Sequence, residues 1–205
     1  MPDTISLIAG LGNPGSSYEQ TRNNAGFWFL DALAERYHAD FHQESRFHGS
    51  TARATVDDCQ VHLLKPATYM NRSGQSVATL SRYFKIPVTR ILVVHDDLDL
   101  NAGIVRVKQG GGHGGHNGLR DIIAAFGGET EFYRLRIGIG HPGNSRDVVD
   151  YVLRKPEQQE RSAIDEAIDA ALASLPRLLD GDIASVQQQL HSRGDGESPS
   201  RQRTV

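Results

Sequence analysis

Residues 5–15 read ISLIAGLGNPG. A short, continuous apolar run that breaks off into glycines fits a buried strand ending in a tight loop. After a polar interval the chain turns to AGFWFLDALAERY at 25–37, where Phe27, Leu30, Leu33, Ala34 and Tyr37 make a helical stripe. Strand, loop and helix open an α/β pattern, and the rest of the chain keeps alternating. GSTARATV (49–56) and CQVHLLKP (59–66) read as paired strands, the second closed by Pro66, and SGQSVATLSRYFKI (73–86) reads as a helix. RILVVHDDLDL (90–100) is a strand that runs into acids, and GIVRVKQ (103–109) is another. HNGLRDIIAAFG (116–127) starts a helix after a glycine-rich loop and stops at Gly127 and Gly128. FYRLRIGIG (132–140) alternates as strands do, and DVVDYVL (147–153) with residues 157–181 supplies closing helices. No internal repeat appears. The pattern predicts an α/β sheet packed between helices.

A chain of 205 residues suits one domain. The expected division is a single domain over 1–191 and a disordered tail over 192–205, where SRGDGESPSRQRTV has almost nothing to bury. No apolar run approaches the roughly 20 residues of a membrane helix, and MPDTISLIAGLG lacks the basic and then apolar regions of a secretory signal. A cytosolic protein with no membrane partner is expected. The single cysteine, Cys59, allows no internal disulfide and no multi-thiolate metal site, and reads as a small half-buried apolar residue. The net charge of −3 hides a local imbalance: residues 103–155 hold 8 Lys+Arg against 5 Asp+Glu, while residues 156–205 hold 5 against 9. That argues against a general coat for nucleic acid and leaves room for a basic face that grips a few phosphates.

Three loops carry the candidate chemistry, because loops fixed on a rigid sheet are where it usually sits. In GLGNPG, Gly10, Gly12 and Gly15 fit G-x-G-x-x-G after a strand. Pro14 removes a backbone donor from any pyrophosphate cradle, and no strand-end acid follows at ribose distance. A tight turn, or a loop presenting Asn13 into a site, are the readings that remain beside it. KPATYMNRSG presents Tyr69, Met70 and Asn71 ahead of a helix, where Asn71 could equally be a cap and Met70 core. KQGGGHGGHNGLRD is the most unusual stretch: five glycines around His113 and His116 imply an odd path or close approach of a ligand to the backbone. A metal held by these histidines with His95, Asp96, Asp97 and Asp99 is one reading, disfavoured because a glycine loop does not fix two imidazoles. Plain surface polarity is another. A substrate site with Asn117 donating and accepting near a helix N-terminus is the third.

Taken in order, GLGNPG, Tyr18, TR with NAGFW, KPATYMNRSG, HDDLDL, GGGHGGHNGLRDI and RLRIGIGHPG resemble bacterial-type peptidyl-tRNA hydrolase, from about residue 5 to residue 190. The resemblance implies a twisted mixed β-sheet flanked by helices, usually as a monomer. It implies hydrolysis of the ester between peptide and tRNA, which recycles tRNA from chains dropped by stalled ribosomes, with no metal or organic cofactor. By the same resemblance Asp96 steadies the catalytic imidazole, Asn13, Tyr18, Tyr69, Asn71, His116 and Asn117 position substrate, and Met70 walls the site. Lys108 and Arg136 match residues that hold a terminal phosphate of the tRNA.

The family's base is the histidine of a TRHNAG motif, and here the motif reads TRNNAG, placing Asn23 at that position. An amide accepts no proton near pH 7, so it can orient a water without activating it. Binding largely kept and turnover severely reduced is the expectation. One replacement in an otherwise intact set is what a substrate-trapping substitution looks like; natural divergence, with His116 or another group as base, is the alternative. A non-catalytic peptidyl-tRNA binding module, and a metal- or nucleotide-dependent hydrolase, are the other functional readings. Asn24 reads as a helix cap or a brace for its neighbour.

Overall fold

The computed structural model describes residues 4–193. Seven strands form one mixed sheet in the order β2-β3-β4-β1-β5-β7-β6: β1 (Leu7–Gly10), β2 (His42–Glu44), β3 (Gly49–Val56), β4 (Cys59–Pro66), β5 (Ile91–Asp97), β6 (Val105–Gln109) and β7 (Tyr133–Gly138). The four central strands, β4, β1, β5 and β7, run parallel; β3 and β6 run against them. The expected α/β class and the flanked mixed sheet are therefore what the chain forms.

Alternate residues of β1 and β5 feed two different cores. Ile8, Leu92 and Val94 pack on one face with α1 (Ala25–Arg36), α5 (Gln158–Ala173), α6 (Leu175–Leu179) and α7 (Ile183–His191). Leu7, Ala9, Ile91 and Val93 pack on the other with α2 (Ser73–Tyr83) and α3 (Asn117–Ala125). Both faces are covered, which is why ISLIAG and ILVV show no polar alternation. β7 is also covered on both sides, so the alternation read in FYRLRIGIG does not mark a wet face: Arg134 sits at 1% exposure.

The buried stripe of α1 runs through Trp28, Phe29, Leu30, Leu33 and Ala34, with Phe27 and Tyr37 only half-buried, because the helix lies in a valley between sheet and α5. Its first turn comes so close to the sheet that a Cβ on Gly26 would stand 2.5 Å from the Leu11 nitrogen and the Val94 carbonyl. Only glycine permits that approach, and it carries the preceding residues 22–24, a single 3-10 turn, down to the end of β5.

Three local readings are corrected. Cys59 is exposed, since it opens β4 directly after the left-handed Asp57–Asp58 turn. The helical stretch over 157–181 is two helices broken at Ser174, ahead of Pro176. The short strand β2 and the helix α7 carried no clear sequence signal and were not expected. Of the tail read at 192–205, residues 194–205 lie outside the described residues.

Candidate active site

The loops after β1 and β4 and the end of β5 meet at one edge of the sheet, where β1 lies between strands that the chain reaches in opposite directions. Such a switch in strand order opens a crevice at the carboxyl ends of parallel strands. The crevice here is a cleft of about 1050 Å³. All eleven residues that the resemblance picks out line it: Asn13, Tyr18, Asn23, Tyr69, Met70, Asn71, Asp96, Lys108, His116, Asn117 and Arg136.

Its centre is a chain of hydrogen bonds that converges on Asp96. The Met70 amide donates to Asn13 Oδ1 (2.8 Å), Asn13 Nδ2 donates to Asn23 Oδ1 (3.2 Å), and Asn23 Nδ2 donates to Asp96 Oδ2 (3.0 Å). From the other side His116 Nε2 donates to Asp96 Oδ1 (2.9 Å), while its Nδ1 accepts from the Gly118 and Leu119 amides. Each orientation forces the next. A carboxylate only accepts and a backbone N–H only donates, so both amides and the His116 tautomer are assigned without ambiguity. Asn13, Asn23 and Asp96 are all buried, which strengthens such a network and makes any broken link costly.

Asn24 is neither a cap nor a brace for position 23. It makes no capping bond. Instead its Oδ1 accepts from the Asn13 amide (2.8 Å) and its Nδ2 donates to the Asn13 carbonyl (2.9 Å), so the side chain pairs with the glycine loop as a strand would. The same pairing occupies the amide that a dinucleotide cradle would present, and the loop continues into a turn rather than straight into a helix. GLGNPG presents Asn13, the reading the sequence left open. Asn71 is no cap either; it stands exposed in a 3-10 turn over Met70–Arg72. Met70 is both core and wall, 7% exposed against Leu11 and Leu119 and lining the cleft.

At the outer rim the Tyr18 and Tyr69 rings meet edge to face at 6.4 Å. On the far side stand the cations. Arg136 Nε donates to Asp97 Oδ2 (2.8 Å), which leaves the rest of its guanidinium to other partners. Burial, with Arg136 and then Arg134 beside it, lowers the Lys108 ammonium below its ordinary value. Gly114 and Gly115 take left-handed backbone (φ 59° and 83°), turning the loop so that His116 caps α3 while reaching Asp96. His113 also lines the cleft, and its Nδ1 accepts from the Gly115 amide (2.9 Å). Among the described residues no group of three or more His, Cys, Asp or Glu side chains could hold a metal ion.

From the sequence His95 had only a metal-ligand reading, and Arg134 was missed altogether. His95 is buried between Asp96 and the His116 ring, whose centroid is 5.1 Å away. Burial, and then the neighbouring His116, push its imidazole down to about 4, and its Nδ1 bonds the Asp96 carbonyl. Arg134 donates to the Gly111, Gly112 and Thr130 carbonyls and lies over the Phe132 ring, pinning the glycine loop from below. Both sat inside motifs whose neighbours drew attention first.

The family profile described as peptidyl-tRNA hydrolase matches residues 7–198. The chain is 53% identical over 193 residues to the peptidyl-tRNA hydrolase of Neisseria meningitidis serogroup A, covering 94% of this chain and all of that one. It is 52% identical to the peptidyl-tRNA hydrolase of Alcanivorax borkumensis, over 93% of this chain and 98% of that one. The crystal structure of the peptidyl-tRNA hydrolase from Acinetobacter baumannii superposes with a TM-score of 0.89 at 49% identity, covering 92% and 95% of the two chains. This chain belongs to the peptidyl-tRNA hydrolase family. Among the described residues no helix is long and apolar enough to cross a membrane.

Proposed function

We propose that the chain, acting as a monomer without a cofactor, binds peptidyl-tRNA and cleaves the ester between peptide and terminal ribose, with turnover held low by Asn23. The observation that carries this reading is the converging chain of donors on Asp96. In it Asn23 points one N–H at a carboxylate and borders the cleft with its Oδ1, which accepts from Asn13 Nδ2 and keeps a second lone pair. An imidazole there would donate one N–H to Asp96 and keep its second nitrogen as a proton acceptor for the attacking water, the arrangement that makes histidine a general base. The amide reproduces the donor and offers only a carbonyl oxygen at the other end, which binds a water's hydrogen and takes no proton.

His116 is a poor substitute. Its acceptor nitrogen is occupied by two backbone amides of α3 and its other nitrogen carries the proton given to Asp96. His95 is low in basicity and buried. Binding groups are untouched by the substitution: Lys108 and Arg136 suit a phosphate of the tRNA, and Asn13, Asn71 and Asn117 suit the amide and ester groups of the acyl portion. Retention of uncleaved substrate is the consequence, whether selected or introduced.

Single-turnover cleavage of an N-blocked aminoacyl-tRNA by the chain and by Asn23→His tests the reading. The histidine variant should cleave about 10²- to 10⁴-fold faster, with affinity for the tRNA moving less than a few fold. Fast cleavage by the chain as it stands would overturn the role given to position 23.

A further inference from the structure

Directly before Asn23 lies a buried arginine that the chemistry above does not use. The Arg22 guanidinium forks onto Glu160 of α5 through Nε and Nη2 (3.3 and 3.1 Å), donates from Nη1 to the Tyr151 carbonyl (3.0 Å), and lies 3.9 Å over the Tyr151 ring. Its backbone N–H donates to the Arg154 carbonyl (3.1 Å). One residue thus grips α4 (Val148–Val152) by a carbonyl, a ring and the loop beyond it, and α5 by a carboxylate.

α4 needs such a grip. It is five residues long, none of them is fully buried, and only Tyr151 and Val152 pack against the core, so helix propensity and core packing hold it weakly. Its other anchor is the Tyr151 hydroxyl, which donates to the Ile139 carbonyl at the end of β7 (2.6 Å). The edge of α4 turned away from Arg22 carries Val148, Val149, Val152 and Leu153, all of which line the cleft, and Val149 is 64% exposed. This edge adds an exposed aliphatic stretch to a cleft wall that also carries Met70, Leu98 and Leu119, and it marks a contact surface for something apolar.

We infer that Arg22 is a positioning residue: it sets how far the aliphatic edge of α4 stands from Asn23 and Asp96, and so makes that edge a subsite for the side chain of the acyl residue joined to the tRNA. The inference rests on the proposed substrate. The basic residues of the cleft suit the phosphates, whereas four aliphatic side chains suit the acyl group. Because Arg22 is bonded to residue 23 through the backbone and to α4 through its guanidinium, a shift of one is passed to the other. Arg22→Lys keeps the charge facing Glu160 but loses the fork, the Tyr151 carbonyl bond and the flat stack. Glu160→Gln loosens the same tether from the far side, at a half-exposed position that folding tolerates.

The test is equilibrium binding of amide-linked, uncleavable leucyl- and glycyl-tRNA analogues, both N-acetylated, and of deacylated tRNA. The unchanged chain should prefer the leucyl analogue. In Arg22→Lys and Glu160→Gln that preference should fall by roughly tenfold, with deacylated tRNA bound as before and the two effects not additive in the double variant. An arginine that served stability alone would weaken all three ligands together or none. A leucyl preference unchanged in both variants, or absent from the unchanged chain while it still binds both analogues, overturns the inference and leaves the proposed substrate standing. Failure of the unchanged chain to bind either analogue more tightly than deacylated tRNA overturns both.

Discussion

His95 shows how much of the site's pH behaviour is settled by burial. Its imidazole is pushed down to about 4 in the folded protein against 6.5 when free, first by burial and then by His116. Between those two values the unfolded chain binds a proton that the folded one refuses, so this group's contribution to stability is complete above pH 6.5 and is lost as pH falls toward 4. The slope it adds is up to about 1.4 kcal/mol per pH unit. Chemical denaturation at a series of pH values should therefore show a steeper loss below pH 6.5 for the unchanged chain than for His95→Gln, whatever the absolute stability of the variant. Parallel curves would mean that His95 is not held neutral. The same residue shows what sequence cannot display. HDDLD reads as a run of candidate ligands, but whether each polar group turns to the cleft or into the core depends on β5 having neighbours on both sides, and that is a property of strand order.

At the scale of elements, α3 joins stability to the site. His116 is its N-cap, taking the Gly118 and Leu119 amides on Nδ1, and the opposite nitrogen holds Asp96. His116→Ala removes both roles and should destabilise the fold by about 0.5–2 kcal/mol, as lost caps do. His116→Asn separates them, since asparagine caps well but is too short to reach Asp96. Thermal unfolding should place the Asn variant above the Ala variant, which loses the cap as well as the Asp96 bond, while cleavage by the Asn23→His protein carrying it should fall as far as with Ala. Equal stability losses for Asn and Ala would show that the cap is not what His116 contributes. Elements of this kind were legible: GGGHGGHNGL announces a helix start after a loop with unusual backbone, and glycines at 114 and 115 with positive φ supply it. The α4 edge was not. DVVDYVL reads as no more than a closing helix, and only the tertiary structure turns Val148, Val149, Val152 and Leu153 to the cleft. Likewise β2 pairs through three residues, HQE, with no apolar signal at all.

For the whole molecule, charge is distributed so that a chain of net −3 still offers phosphate a cationic corner. Lys108 and Arg134 stand opposite each other in the β6–β7 ladder, with Arg136 two residues along β7. The three are not equivalent. Arg134 is committed to the carbonyls of the glycine loop, and Arg136 is partly neutralised by Asp97. Lys108 is half-buried, and burial together with Arg136 and Arg134 lowers its hold on the proton, a strain that an arriving phosphate would relieve. Counterion release ties each phosphate contact to the salt dependence of binding, at a little under one unit of log–log slope per contact. Lys108→Ala should therefore lower that slope by about one for deacylated and acylated tRNA alike, weakening both by the same factor at low salt and converging with the unchanged chain at high salt. Arg22→Lys should leave the slope unmoved, because Arg22 faces Glu160 rather than the cleft. A slope unchanged by Lys108→Ala would place the phosphate elsewhere, and a loss confined to acylated tRNA would assign Lys108 to the ester rather than to the nucleic acid.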